Sequence, residues 1–170
     1  MKKINTPLTR EKIKELKRGE EVLLSGIIYT ARDQAHKRLI QEKRPLPGLK
    51  DAVIYYCGPT PAVKGKVIGS CGPTTSSRMD EFTPALLKKG VSAMIGKGRR
   101  SGEVIQAIKK YGAVYFLTYA GCGALLSKYI KKSTVVAYKD LGPEAIYKLE
   151  VKDFPLIVGI DATGKSLYKV

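Results

Sequence analysis

The sequence predicts an α/β layered domain with a mixed sheet, and three observations lead to this class. Strand-like and helix-like segments alternate through the middle of the chain. Further strand-like segments gather near both ends, which argues against a purely parallel, doubly wound sheet. The composition, 44% hydrophobic and 27% charged, is globular, and 170 residues are enough to bury a proper core. We therefore expect one domain over residues 1–170, with residues 1–20 as an N-terminal helical extension.

The predicted strands are apolar runs, rich in β-branched and aromatic residues, that are bounded by glycine, proline or charged residues. The first strand contains Gly26, which we expect to mark a β-bulge. In chain order, the predicted strands are residues 21–30, 52–57, 66–69, 90–96, 113–118, 134–138 and 156–160.

The predicted helices carry apolar residues at helical spacing, and several begin at hydroxyl or acidic residues. The helix over residues 101–111 is the clearest, because it is amphipathic and is followed by Gly112 as a C-terminal cap. In chain order, the predicted helices are residues 9–18, 31–40, 79–87, 101–111 and 124–130.

Residues 71–80 lie where the third predicted strand gives way to a helix. Four consecutive hydroxyl residues, Thr74 to Ser77, are followed there by Arg78. The free N–H groups and the dipole of a helix N-terminus favour an anion. Arginine can bind a carboxylate or phosphate through two parallel hydrogen bonds. An ordinary capped turn would use only one or two hydroxyls, so the stretch favours an anion-binding site.

Two other strand ends carry cationic groups. Arg32 follows the first predicted strand, and Lys97 and Arg99 follow the fourth. Ligands of open α/β sheets bind outside the carboxyl ends of the strands, so these residues predict one pocket for a substrate with two negative groups. The alternative is that they are solvated charges, which is the usual state of a single lysine or arginine. His36, one helical turn after Arg32, either shapes this site or is a surface group.

The net charge of +16 leaves several classes of partner open. The lysines are scattered and no RNA- or DNA-reading motif is visible, so nucleic-acid binding is not favoured. An anionic substrate, an acidic partner subunit or a lysine-rich thermophilic surface would give the same total charge.

The cysteines Cys57, Cys71 and Cys122 are far apart in sequence and form no CxxC pair. Their number is odd, and the sequence has neither a secretion signal nor an apolar run long enough to span a bilayer. We therefore expect reduced structural thiols in a cytoplasmic protein.

Several of these motifs together resemble class I fumarase, the iron–sulfur type. The string Gly72-Pro73-Thr74-Thr75 followed by Arg78-Met79-Asp80 is the most specific. The resemblance covers essentially the whole chain, and it is to the C-terminal region of one-chain enzymes or to the β subunit of two-chain fumarases and L(+)-tartrate dehydratases. The other matching segments are Ala31-Arg32-Asp33, Tyr56-Cys57-Gly58-Pro59, Lys97-Gly98-Arg99, Asp140-Leu141-Gly142 and the run from Glu150 to Pro155.

The resemblance implies a swivelling β/β/α-type domain and reversible addition of water to a dicarboxylate, fumarate to malate, with L(+)-tartrate as the alternative substrate. It implies that Thr74 and Arg78 are catalytic, Thr74 exchanging the carbon-bound proton of the substrate. It implies that Arg32, Thr75 and Lys97 bind the substrate. Arg78, Lys97 and the helix dipole would favour the alkoxide of Thr74, which is otherwise a poor base.

The resemblance also implies a [4Fe-4S] cluster that is ligated by a partner α subunit, without which this chain would be inactive. The chain itself then has no metal ligands, and the isolated chain could form a homodimer. After the lysine and glycine the family usually has an asparagine-like residue, whereas here Gly98 is followed by Arg99 and Arg100. The roles of these two arginines therefore stay open, as does a different class of function, a non-catalytic basic domain that binds anions or nucleic acid.

Overall fold

The computed structural model describes residues 1–43 and 46–169. The strands are β1 (Lys2–Asn5), β2 (Glu21–Thr30), β3 (Val53–Tyr55), β4 (Ala93–Gly96), β5 (Val114–Leu117), β6 (Ile130–Ala137) and β7 (Ile146–Ile160). The α-helices are α1 (Arg10–Lys14), α2 (Asp33–Gln41), α3 (Thr83–Lys88), α4 (Gly102–Tyr111) and α5 (Gly123–Leu126). Short 3₁₀ helices cover Ser76–Met79, Ser127–Tyr129 and Lys139–Glu144. No helix in the described part of the chain is long and apolar enough to cross a membrane.

The strands form a sheet that closes on itself. Strands β1 to β5 are parallel neighbours in chain order. The long strand β7 is antiparallel and pairs with β5, β2 and β6, so that β2, β3, β4, β5 and β7 make a ring. The predicted bulge at Gly26 is confirmed, because the register of β2 against β7 shifts there and Gly26 has a φ of 114°.

Alternation along the strands divides the buried side chains between two cores. Val53 and Tyr55 of β3 belong to the core inside the ring, whereas Ile54 belongs to the core beneath α2, α3 and α4. Helices α2, α3 and α4 pack on the outside of the parallel strands and form one helical layer, whereas Ile13 of α1 and Leu126 of α5 belong to the core inside the ring. The predicted α/β class with a mixed sheet is therefore confirmed.

The predicted strand over residues 66–69 is wrong. Val67 is 49% exposed, and the segment lies in a loop whose ends are joined by hydrogen bonds between Thr60 and Ser70 (3.0 Å) and between Gly69 and Thr60 (3.2 Å). The closed ring explains the difference, because β3 already has β2 and β4 on its two sides and offers no free edge.

Three predicted helices are shorter than expected, and one strand was not predicted. The helix over residues 9–18 covers only Arg10–Lys14. The helix over residues 79–87 begins at Thr83, where Pro84 suits the first turn, and the helix over residues 124–130 stops at Leu126 because Ile130 already pairs with β7. Within the predicted helical extension, residues 1–20, Lys2–Asn5 form strand β1. Only one side chain of β1 is buried, so its sequence shows no alternation of apolar and polar residues that would predict a strand.

Candidate active site

The candidate site lies at the edge of the sheet where β2, β3 and β4 end. Because these strands are parallel, their carboxyl ends lie on one side. Arg32 comes two residues after β2, and Lys97 directly follows β4. The segment of residues 71–79, here called the hydroxyl loop, returns to the same edge after β3.

Backbone hydrogen bonds fix the hydroxyl loop to the ends of β3 and β4. The N–H of Thr74 donates to the carbonyl oxygen of Tyr56 at 2.7 Å, and the N–H of Ser76 donates to that of Lys97 at 3.0 Å. Thr75 pairs with Lys97 in an isolated parallel bridge. Thr74 is therefore held, partly exposed, between two strand ends.

The loop does not precede an α-helix, contrary to the prediction. Residues Ser76–Met79 form a single 3₁₀ turn, and α3 begins only at Thr83. A strong helix dipole therefore does not face the hydroxyls. The positive field at this edge comes from the side chains Arg32, Arg78 and Lys97 instead.

A buried hydroxyl pair connects the loop to the next strand. Ser76 is fully buried, and its Oγ accepts from the N–H of Lys97 at 3.0 Å. The hydroxyl of Tyr115 lies 2.8 Å from that Oγ and 3.0 Å from the carbonyl oxygen of Gly98. Burial raises the pKa of Tyr115, so its hydroxyl stays protonated. A side chain on Gly96 would overlap Ser76 Oγ, so only glycine allows this contact.

Arg100 is a buried structural residue. Its guanidinium donates to Asp80 Oδ1 and to Thr83 Oγ1, both at 2.7 Å, and its Cζ lies 5.2 and 4.9 Å from the ring centroids of Tyr56 and Tyr115. The two adjacent arginines therefore differ in burial. Arg99 is exposed, with its Cζ 5.7 Å from the centroid of the Tyr168 ring.

Asp33, the residue after Arg32, ties Arg78 to the β2 side of the site. Asp33 Oδ2 accepts two hydrogen bonds from Arg78, from Nε at 3.2 Å and from Nη2 at 2.9 Å, while the Arg78 side chain remains 50% exposed. Arg32 packs against Gly58, where an added Cβ would lie 3.0 Å from the guanidinium Nη1. The pair with Asp33 thus orients Arg78 without burying it.

His36 lies in the interior behind the exposed groups. Its Nδ1 lies 2.7 Å from the carbonyl oxygen of Arg32, which assigns the proton to Nδ1, and its ring packs against Tyr56 and Phe82. Burial lowers the pKa of His36 to about 4, so the imidazole is neutral near pH 7. Among the described residues, four buried polar atoms lack a partner: Arg32 Nε, Asp33 Oδ1, His36 Nε2 and Arg100 Nη1.

A cavity of about 420 Å³ lies beside this edge rather than at it. It is enclosed by α2, residues 46–49 and the β6–β7 hairpin, and its lining is mostly apolar. Thr74, Arg78 and Lys97 are not among its lining residues. The candidate site is therefore an open edge, with Thr75 and Arg78 exposed to solvent.

A sequence model of the family described as "Fumarase C-terminus" matches residues 2–170. The chain belongs to this family. The family predicted from the sequence motifs is thereby confirmed.

This member of the fumarase C-terminal family is similar to curated relatives of two kinds, which differ in chain length. A Methanocaldococcus jannaschii protein, provisionally named L(+)-tartrate dehydratase subunit beta, is 41% identical, over 95% of this chain and 88% of its own. The L(+)-tartrate dehydratase subunit beta of Escherichia coli K12 is 36% identical, over 98% and 87%. Fumarate hydratase 2 of Leishmania major is 38% identical, over 94% of this chain but 29% of its own. The chain thus spans most of a β subunit and less than a third of a one-chain enzyme.

The cysteines of this family member do not fit an iron–sulfur cluster. Within residues 1–43 and 46–169, no three histidine, cysteine, aspartate or glutamate side chains lie close enough to hold a metal ion. Cys57 and Cys71 are buried, with Sγ atoms 2.8 Å apart, and Cys122 is partly exposed. The cluster implied by the resemblance would therefore have to be ligated by another chain.

Sequence reasoning missed three residues that shape the site. Asp33 and Asp80 hold Arg78 and Arg100, and both belong to the matching motifs, so their position was a usable signal. Tyr115 had no such signal, because it reads as one more aromatic residue of a buried strand.

Proposed function

We propose that this chain is the β subunit of an iron–sulfur hydro-lyase that reversibly hydrates fumarate to malate. The observation that carries the proposal is the meeting of Thr74 with Arg32, Arg78 and Lys97 at one open sheet edge, in a member of the fumarase C-terminal family. Three cationic residues at the same sheet edge as a hydroxyl suit a dianionic substrate.

Arg32 and Lys97 bind the two carboxylates of the substrate. Strand β3 lies between β2 and β4, so these residues start from backbones roughly 10 Å apart, which is two strand spacings. Long cationic side chains reach inwards across that span to a four-carbon dicarboxylate. Thr75, exposed and paired with Lys97, supplies a hydroxyl to the same anion.

Thr74 carries the proton that is exchanged at carbon. A threonine hydroxyl is a poor base, so its alkoxide needs neighbouring positive charge. Arg78, oriented by Asp33, and Lys97 supply that charge and also stabilise the charge that develops when the C–H bond breaks. In the hydration direction, Thr74 returns the proton to carbon.

The iron–sulfur cluster is carried by a partner α subunit, in the cytoplasm. A cluster bound to that subunit would supply Lewis-acid chemistry for the substrate hydroxyl. The subunit names of the relatives, together with the misfit of the three cysteines, support the division of the enzyme between two chains.

The α subunit docks over the carboxyl edge of the parallel strands. Exposed apolar side chains surround the site there: Val63 and Val67 in the loop after β3, Tyr119 after β5 and Leu125 in α5. Covering them would remove apolar surface from water and close the open site at the same time.

Dehydration of L(+)-tartrate is the second candidate. The relatives that the chain covers almost fully are L(+)-tartrate dehydratase β subunits, whereas it covers less than a third of the fumarate hydratase from Leishmania major. This observation favours the same chemistry on a dicarboxylate with two hydroxyl groups.

Anaerobic co-expression with the α subunit, cluster reconstitution and assay of fumarate against L(+)-tartrate test the proposal. We expect the reconstituted complex to hydrate fumarate much faster than it dehydrates L(+)-tartrate. We expect no activity from this chain alone. Activity on tartrate only would select the second candidate. A reconstituted complex without either activity, combined with salt-dependent retention of the chain on nucleic acid, would instead support a basic binding domain.

A further inference from the structure

Two buried thiols meet directly behind the hydroxyl loop. The Sγ atoms of Cys57 and Cys71 are 2.8 Å apart, and the two residues are 1% and 0% exposed. Cys57 follows the end of β3, and Cys71 is the first residue of the hydroxyl loop. The two cysteines therefore join the two ends of the exposed loop over residues 58–70.

The backbone already holds both cysteines in place. The N–H of Cys71 donates to the carbonyl oxygen of Gly123 at 3.2 Å, and the hydroxyl of Tyr55 donates to the carbonyl oxygen of Cys71 at 2.6 Å. A disulfide has an S–S distance of about 2.05 Å, so the sulfur atoms need to approach by only roughly 0.8 Å. Side-chain rotation at the two cysteines supplies a movement of that size.

We propose that Cys57 and Cys71 are a reversible disulfide site, oxidised by a low-molecular-weight disulfide. The thiolate of one cysteine attacks the reagent disulfide, forms a mixed disulfide and expels one reagent thiolate. The thiolate of the other cysteine then attacks the protein sulfur of that mixed disulfide and expels the second reagent thiolate. Two protein thiols and one reagent disulfide thus give one protein disulfide and two reagent thiols, which take up the two protons.

Access to the thiols sets the rate of the first step. The contact with Cys71 and burial together raise the pKa of Cys57, so its thiolate is scarce in the closed protein. Residues 60–67 of the loop are all exposed, whereas the side chain of Ile68 in the same loop is buried. Opening of this loop exposes the first thiol, and the second step is then fast because its partner is adjacent.

The bond would constrain the segment that leads to Thr74. It would close a loop of roughly 15 residues and lower the unfolding equilibrium constant on the order of 10²-fold, because the unfolded chain loses freedom. It would also fix the start of the hydroxyl loop against the end of β3. None of this depends on the proposed enzyme activity.

The test equilibrates the reduced chain with glutathione disulfide and then measures intact mass and free thiols in denaturant. We expect the thiol count to fall from three to one, with the loss of two hydrogens and no glutathione adduct. Cleavage at the exposed Lys64 or Lys66 should leave the two fragments joined until reductant is added. The oxidised chain should also melt at a higher temperature than the reduced chain.

Three matched variants identify the pair. Cys57→Ser and Cys71→Ser should each abolish the internal bond and leave the remaining thiol free or as a glutathione adduct, whereas Cys122→Ser should keep it. Because the wild-type chain is itself the main sample, poor folding of a serine variant does not remove the test. Three free thiols at equilibrium, glutathione adducts alone, or peptide mapping that joins Cys122 to either residue would overturn the proposal.

Discussion

The two sides of the candidate site differ in how completely their polar groups are hydrogen bonded. On the β4 side, Ser76, Tyr115 and the backbone of Lys97 and Gly98 form one continuous buried chain of contacts. On the β2 side, three polar atoms, in Arg32, Asp33 and His36, are buried without a partner among the described residues, against one on the β4 side, Arg100 Nη1. We infer that the fold prearranges the first side, whereas the second is completed by substrate, ordered water or the α subunit.

The largest expected effect concerns the hydroxyl that lies between the two sides. Replacing Thr74→Val keeps the shape but removes the proton carrier, so we expect turnover of the reconstituted complex to fall by about 10²–10⁴. Thr75→Val, the matched control on the neighbouring residue, should mainly raise KM. Equal losses in turnover for both variants would contradict a special role for Thr74.

Removing a cation from the β2 side should have the next largest effect. Arg78→Ala removes a charge that Asp33 orients beside the reacting atoms, and turnover should fall on the order of 10²–10³, the scale of one preorganised stabiliser. Arg10→Ala is the control, since Arg10 is an exposed arginine in α1, near Gly112 at the opposite edge of the sheet. A complex with intact cluster and near-normal rate would remove Arg78 from the mechanism.

Protonation of His36 tests the interior of the β2 side. The folded-state pKa of about 4 lies below the unfolded value of about 6.5, so the unfolded chain binds more protons between these values. Stability is complete above pH 6.5 and should fall by about 3 kcal/mol as the pH is lowered towards 4.

Urea unfolding between pH 7 and pH 4.5 measures this loss, and His36→Phe should flatten the dependence. Since His36 is the single histidine of the chain, its NMR titration is unambiguous. A measured pKa near 6.5 would show that water reaches the imidazole.

The smallest expected effect comes from the prearranged side. Tyr115→Phe removes one hydroxyl and leaves Ser76 Oγ with one partner fewer, at a cost of about 1–2 kcal/mol in stability. In the complex, KM should rise more than kcat falls, because the loop that carries Thr74 is less firmly held. An unchanged free energy of unfolding would mean that the hydrogen bonds of Tyr115 do not hold the β4 side in place.

Local patterns predicted which candidate residues lie at one edge better than they predicted the surroundings of those residues. The family motif and the strand–helix alternation gave Thr74, Arg78 and Lys97 as candidates, and the structure places all three at one edge of the sheet. The assignment of the hydroxyls to a helix N-terminus was wrong, because the same apolar spacing suits a 3₁₀ turn followed by a helix that starts at Thr83. The dependence on Tyr115 could not be predicted, because its contact with Ser76 joins residues far apart in sequence.

The sequence by itself determined the family, the α/β class and the charged, hydroxyl-rich motif, because these depend on residue type and short-range spacing. The tertiary structure alone decided that β7 closes the sheet, that Arg100 is buried while Arg99 is exposed, and that Cys57 meets Cys71. These features follow from which strands pair and which side chains the closed ring leaves inside, and long-range packing leaves no periodic signal in the chain.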